Sequence, residues 1–432
     1  MTRPMKRVLI VGGGLAGLAC AVRLHERGAW PLIVEASDDV GGRVRTDVVD
    51  GFRLDRGFQV YLDAYPEAGN FLDLPRLGLR PFKPGALVYL DGRLHRVMDV
   101  FRDPRHLFAS ALAPVGSLAD KLRVAALKWR ISRSTLGDIA AREDLTTEAY
   151  LRRAGFSRRM IDVFFRSFYG GIFLERDLRT SSRMFESTFQ MFSRGSATLP
   201  ALGMQEIPRQ LASRLPADAI RRGARVTEVH RGKITLACGG SLGGDAVVVA
   251  ADATTAALLI PGLATQEPDW RGVTGLYFAA GKSPLREAII ALNGTGRGLV
   301  NNVCVLSDVA PGYAPPGQAL ISISVLGTPA IPDLETQILA ELGPWFGPEV
   351  RGWRHLRTDR IERALPEQPP VPGQLGPCFR EIDGVFVCGD HLTSASIEGA
   401  ISSGLRTADA LLSDPAGERM ASAAARPEIK NN

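Results

Sequence analysis

The chain has 432 residues, of which 45% are hydrophobic and 23% charged, with a formal net charge of +6. That length exceeds one simple core and predicts two interleaved domains, and the composition excludes a disordered polymer. The basic residues form no concentrated stripe with interleaved aromatics, which argues against nucleic acid as a partner and leaves contact with an anionic membrane surface open.

Five scattered cysteines without a C-x-x-C pair suggest neither a disulfide framework nor a zinc site. No metal is therefore expected, and a reducing, cytoplasmic setting is. The apolar run Val8 to Val11 is too short for the core of a secretory signal, and no stretch approaches the roughly 20 apolar residues of a membrane span.

Lys6 to Val11 reads as a short, buried parallel strand. Gly12-Gly13-Gly14-Leu15-Ala16-Gly17 follows and matches G-x-G-x-x-G. A helix from Leu18 to Arg27 ends at Gly28, and a second strand, Pro31 to Glu35, ends in a carboxylate. Each piece has a physical task in holding a dinucleotide. Gly12 permits the tight turn, Gly14 lets the backbone approach a pyrophosphate, and Gly17 lets helix and strand pack closely. The helix start that follows Leu15 and Ala16 offers unpaired N–H groups to phosphates. Glu35, with Ala36 beside it, is placed to accept ribose hydroxyls. Gly41-Gly42-Arg43 then brings a fixed positive charge, Val44 to Leu54 reads as a hairpin about Asp50-Gly51, and Asp55-Arg56-Gly57-Phe58-Gln59 follows.

From about Pro81 to Arg194 the pattern predicts mostly helix, with turn signals at Pro104, Pro114 and Gly155. Between Arg102 and Arg133 seven Arg or Lys residues stand against Asp103 and Asp120, while Leu118, Leu122, Ala125 and Trp129 share one helical face. Such a stripe ordinarily packs inward; the alternative is that it rests on an anionic bilayer as a peripheral membrane contact. Eight aromatic residues fall between Phe164 and Phe192, most of them expected in a helical core, with Tyr169 and Phe173 as candidates for a substrate pocket. Gly170 and Gly171 between them predict a close backbone approach.

Gly203 to Pro208 leads into a helix through Leu215, and Arg225 to Val229 and Asp245 to Ala250 read as strands. Trp270 to Leu326 is largely strand, and the alternation from Ile321 to Val325 predicts a half-buried one. Gly384 to Asp390 runs from strand into turn, and Ser394 to Gly404 begins a helix of small residues. His391 beside Asp390 has no G-x-S-x-G elbow elsewhere to make a hydrolytic triad.

The stretch from Glu35 to Gly41-Gly42-Arg43, together with Gly389-Asp390 before the small-residue helix, resembles the flavin-containing superfamily of amine oxidases, phytoene-type desaturases and protoporphyrinogen oxidases. The resemblance implies an α/β fold: a glutathione-reductase-like Rossmann FAD-binding domain with an interleaved α+β substrate domain. The former would comprise 1–80, 200–258 and 355–418, the latter 81–199 and 259–354, with 419–432 a disordered tail. It implies FAD as cofactor, held non-covalently, because no cysteine or histidine occupies 394–400, where covalently linked relatives attach flavin. It places Gly42 and Arg43 against FAD, Gly57, Phe58 and Gln59 along the flavin, and the Val226 backbone at the adenine. Gly389 and Asp390 fall at the ribityl–phosphate, and the helix start at Ser396 and Ile397 points to flavin N1 and O2.

A sheet containing Tyr277, a further pocket candidate, would roof the flavin. Amine-oxidising relatives carry a lysine on its first strand; here Val273 to Ala280 has none, and Lys282 follows in the turn. The implied activity is therefore that of an FAD-dependent oxidoreductase of dehydrogenase or desaturase type, moving a hydride from a small apolar substrate to flavin N5. Amine oxidation and a non-redox use of FAD are the alternatives. No catalytic acid or base, electron acceptor or oligomeric state is read from the sequence.

Overall fold

The computed structural model describes residues 6–99, 102–103, 105, 112–260, 263, 269–373 and 376–413; the turn signal at Pro104 and the 419–432 tail lie outside them. The chain forms two compact units, one of Met1–Val40, Leu211–Thr265 and Pro377–Asn432, the other of Gly41–Gln210 and Gln266–Gly376. Residues 41–80, which the resemblance assigns to the cofactor domain, belong to the second unit.

The first unit is built on a six-stranded sheet in the order Ile220–Arg221, Trp30–Val34, Arg7–Val11, Ala246–Val249, Val385–Val387, Arg380–Ile382. All neighbours run parallel except the last pair, with Leu9 aligned to Leu32 on one side and Val247 on the other. The β-branched, nearly continuous apolar strands are what a sheet covered on both faces requires. The helices Leu15–Glu26 and Ile397–Ser413 pack on each other so closely that a Cβ at Gly404 would lie 2.2 Å from the Ala16 carbonyl oxygen. A separate antiparallel sheet joins Val226–His230, Lys233–Leu236 and Ser241–Gly243.

The second unit carries a seven-stranded sheet in the order Arg354–Pro366, Trp270–Ala280, Ala319–Leu326, Val300–Val305, Ile290–Asn293, Gly85–Leu90, Arg93–Met98. Only Ile290–Asn293 and Gly85–Leu90 pair in parallel. One face packs Leu87, Leu276, Phe278 and Ile323 against Leu334, Ile338 and Leu342 of the Leu334–Phe346 helix. The other sets Ala86, Val88 and Leu292 against a helical cluster containing Ile161, Phe165, Tyr169 and Phe185.

Two expectations change here. The span from Pro81 is not helical at its start: Gly85–Leu90 and Arg93–Met98 form a hairpin whose turn residues, Asp91 and Gly92, both have positive φ. The strand Ala319–Leu326 is buried along almost its whole length, not on one side. It lies between two other strands in a sheet covered on both faces, so Ser322 and Ser324 are enclosed. The hairpin about Asp50-Gly51 forms as expected, with Thr46–Val49 paired to Phe52–Asp55 and φ of 50° and 82° at its two turn residues.

Candidate cofactor site

In the first unit the glycine turn has three unlike positions. Gly12 has φ 109°, donates its N–H to the Val34 carbonyl at 3.0 Å, and a Cβ there would meet the Ala250 carbonyl oxygen at 2.7 Å. A Cβ on Gly17 would lie 2.1 Å from the Gly12 carbonyl oxygen. Those two glycines are required by the fold. Gly14 is different: a Cβ would have no heavy atom within 4 Å. It is the extended N-cap of the Leu15–Glu26 helix and makes no side-chain cap. The buried N–H groups at Leu15, Ala16 and Gly17 thus begin a helix that no side chain of the described residues caps. This is an anion site in chemistry and shape, and it fits a dinucleotide pyrophosphate.

Glu35 is buried directly after the second strand. Its Oε2 accepts the Gly13 N–H at 2.6 Å, and its Oε1 accepts the Ser37 N–H at 2.7 Å and the Ser37 hydroxyl. The carboxylate therefore shapes the glycine turn itself, with lone-pair capacity left on Oε2, since Oε1 already accepts twice. Ala36 next to it is exposed. Val226 opens its strand opposite Leu236, with the ladder shifted by a bulge before Glu228.

At the chain's far end Gly389 donates to the Ser403 hydroxyl at 2.9 Å, and Ser403 donates to the Cys378 carbonyl at 2.6 Å. These bonds fix the turn carrying buried Asp390. Ser396 caps the last helix, its Oγ accepting the Gly399 N–H at 3.0 Å, so that Ile397 stands in the first turn. Gly12, Gly14, Glu35, Val226 and Asp390 thus belong to one unit, although they span most of the sequence.

In the second unit the Arg43 guanidinium donates to the Ala364 carbonyl at 3.2 Å and lies 5.8 Å from the Trp270 ring centroid. Gly42 before it has φ 59°. Gln59 Nε2 donates to the Arg43 and Arg56 carbonyls at 2.8 and 3.0 Å, tying the two motifs together. Gly57 sits against Ile361, whose Cδ1 would be 3.1 Å from an added Cβ, and Phe58 is edge-on to Phe82 at 6.4 Å.

One buried cluster was not selected from the sequence. Asp55 Oδ1 accepts the Thr46 hydroxyl at 2.5 Å and the Met204 N–H at 3.0 Å, and its Oδ2 accepts the Tyr313 hydroxyl at 2.7 Å. Tyr277 donates to the Asp55 carbonyl at 2.5 Å. Burial pushes the Asp55 carboxyl up to about 6, against the lowering effect of those hydrogen bonds. Outside it, Arg56 and Arg357 both bond Asp47 and hold its carboxyl below the usual range. No sequence neighbour of Asp55 signals this; its partners come from positions 46, 204, 277 and 313.

Tyr169 and Phe173 are buried within the helical cluster, the Tyr169 ring 4.7 Å from that of Phe185. Gly170 and Gly171 approach Asn301 and Asn302 of the sheet, where a Cβ on Gly171 would be 2.9 Å from Asn301 Nδ2. The predicted close approach is thus helix on strand. Lys282 is exposed beyond the end of the Trp270–Ala280 strand, which contains no lysine.

The sequence profile of the flavin containing amine oxidoreductase family matches residues 15–412. Hydroxysqualene dehydroxylase of Rhodopseudomonas palustris is 24% identical over 94% of this chain and 98% of its own length. Protoporphyrinogen oxidase 2 of Arabidopsis thaliana is 29% identical over 38% of this chain, a match that spans only 32% of that protein. Among solved structures, an oxidoreductase from Methanosarcina mazei superposes with a TM-score of 0.74 at 18% identity, over 93% of this chain and all of its own. A glycine turn of the shape a dinucleotide requires and a family match along nearly the whole chain agree: this protein belongs to the flavin containing amine oxidoreductase family and is an FAD-dependent oxidoreductase.

Proposed function

We propose that this chain is a dehydrogenase or desaturase that removes a hydride from a C–H bond of an apolar substrate. When bound, FAD supplies the two-electron acceptor, at N5. The protein's part is to hold cofactor and substrate, because no side chain at the lysine position of amine-oxidising relatives is available for proton chemistry. The observation that carries the reading is the Trp270–Ala280 strand, whose buried length from Val273 to Ala280 carries no ionisable amine or carboxylate, lacks lysine, and leaves Lys282 in solvent. The triterpenoid in the name of the Rhodopseudomonas relative supports an apolar, isoprenoid-like substrate class.

Within the first unit we assign Gly12, Gly14, Leu15, Ala16 and Gly17 to the pyrophosphate, Glu35 and Ala36 to the ribose, and Val226 to the adenine. Gly389 and Asp390 are assigned to the ribityl–phosphate, and the helix start at Ser396 and Ile397 to the electron-rich edge of the flavin, where its dipole favours negative charge. Within the second unit we assign Gly42, Arg43 and the segment Gly57, Phe58 and Gln59 to FAD as well. Tyr277 is a pocket residue in this reading only through its aromatic edge, since its hydroxyl is taken by Asp55.

Anaerobic mixing with a panel of isoprenoids, tetrapyrroles and amines tests the proposal. The flavin absorbance should bleach with an isoprenoid or tetrapyrrole and not with amines. Bleaching by amines alone makes the protein an amine oxidase; conversion of a substrate without net flavin reduction makes the flavin's use non-redox. A second expected outcome concerns attachment. No cysteine or histidine lies between Ser394 and Ala400. Acid precipitation should therefore leave all FAD in the supernatant, and yellow colour in the pellet overturns non-covalent binding.

A further inference from the structure

The Leu118–Ser132 helix turns its apolar stripe outward. Its buried side consists of Asp120, Leu127 and Ile131. Leu118, Leu122 and Trp129, which share the opposite face, are 68%, 66% and 59% exposed. Leu112 and Leu136, outside the helix, are exposed as well, so five of the ten large apolar side chains exposed among the described residues fall within 25 positions. Isolated exposed leucines need no explanation, but a contiguous crest marks an interaction surface.

The charges around the crest select its partner. Asp120, the helix's only acid, is fully buried. It accepts the N–H and hydroxyl of Ser117 and those of Ser157, at 2.7 to 2.8 Å. Burial opposes ionisation there, yet the Ser157 and Ser117 bonds hold the carboxyl down at about 2. Asp120 is thus consumed in joining the helix start to the next helical turn, and contributes no negative charge to the surface. The helix's other charges, Lys121, Arg123, Lys128 and Arg130, are all cationic. Arg133, its C-cap, stacks on Trp129, the guanidinium 4.1 Å from the ring centroid. Arg123 pairs with the buried Asp120 at 3.6 Å, and beyond the helix Arg158 and Arg159 are matched by Asp162 and Asp91.

A helix with a tryptophan on its apolar crest, basic residues on its flanks and no exposed acid of its own has the arrangement of one lying in a bilayer interface. Aliphatic and indole surface enters the acyl boundary while guanidinium groups stay at the phosphates. A second copy of this chain is a poor fit. A two-fold contact would place the same basic helix against itself.

We propose that the Leu118–Ser132 helix docks the protein, in plane, on an anionic lipid surface, with Leu118, Leu122 and Trp129 as the inserted residues. The inference does not depend on which substrate is oxidised, so the bleaching experiment and this one fail separately. The test is sedimentation of the FAD-loaded protein with vesicles of phosphatidylcholine alone or mixed with phosphatidylglycerol. Binding should require phosphatidylglycerol and decline with salt, since the cations are screened. R133Q should weaken binding about fivefold, as expected for roughly 1 kcal/mol per cation near the surface. L122E with W129E should abolish binding while flavin content and melting temperature stay unchanged, because both side chains are exposed. No binding to phosphatidylglycerol vesicles at low salt overturns the proposal. So does binding that survives L122E with W129E, or a dimer in solution that those substitutions dissociate.

Discussion

A Gly14→Val variant is expected to purify folded and colourless. Of the glycines in the turn, Gly14 alone has open space where a side chain would go, and its φ of −72° suits any L-residue. Valine there meets no protein atom, but its methyl groups stand over the uncapped start of the Leu15–Glu26 helix, where the pyrophosphate is assigned. FAD affinity should fall at least about a hundredfold, the loss of roughly 2.7 kcal/mol that follows from two charge-assisted hydrogen bonds or fewer. Far-ultraviolet circular dichroism and the apo-protein's melting temperature should be unaltered. Gly17→Val provides the contrast, because a Cβ there collides with the Gly12 carbonyl oxygen; that variant should fail to fold. If Gly14→Val retains its full complement of FAD, the pyrophosphate is bound elsewhere. Glu35→Ala is a less clean probe, since it also strands the Gly13 N–H that the carboxylate holds.

The other large effect lies in the second unit. Asp55→Ala leaves the Thr46 and Tyr313 hydroxyls and the Met204 N–H without their acceptor in a buried site. Each stranded group costs about 1–3 kcal/mol, so a loss of about 3–5 kcal/mol is expected in denaturant unfolding. Asp55→Asn should cost much less, because the amide oxygen still accepts from Thr46 and Met204 while its NH2 donates to the Tyr313 oxygen. The pair also reports on the carboxyl's protonation. Its folded value, about 6, is raised above the ordinary 3.8 by burial. The folded state therefore binds the proton more tightly than the unfolded state, and this group's contribution to stability falls as pH rises from about 4 to about 6. Across that window the Asn variant should gain on the wild type with rising pH, and the difference should level off above it. A pH-independent difference sinks the assignment of a proton to Asp55.

What was legible in the sequence was local. The glycine turn, Glu35 and the hairpin at Asp50-Gly51 are set by a few adjacent residues whose backbone demands are specific, and the fold honours them. The failures involve partners distant in sequence. Gly85–Leu90 is a strand because Ile290–Asn293 lies beside it, and the helical neighbourhood hid the Asp91-Gly92 turn. Ser322 and Ser324 mimic a solvent-facing alternation, although both faces of their strand are covered. The Leu118–Ser132 stripe was expected inside on the rule that apolar faces are buried. Asp120, tied by four hydrogen bonds to Ser117 and Ser157, instead points its own face inward and leaves the leucines out. The Asp55 cluster had no local signature, since its four partner residues lie in four separate stretches of chain.

The strand order of the first unit also dictates when that unit can exist. Of the two neighbours of Arg7–Val11 in the sheet, Ala246–Val249 is translated more than two hundred residues after it, and Val385–Val387, on the far side of that neighbour, later still. Parallel pairings of this range carry a large loop-closure cost and form slowly. In that interval the strand Val8 to Val11 is an apolar edge without its final partner, the kind of segment that aggregates or engages chaperones. The glycine turn that follows it is thus translated long before the strand that completes its surroundings.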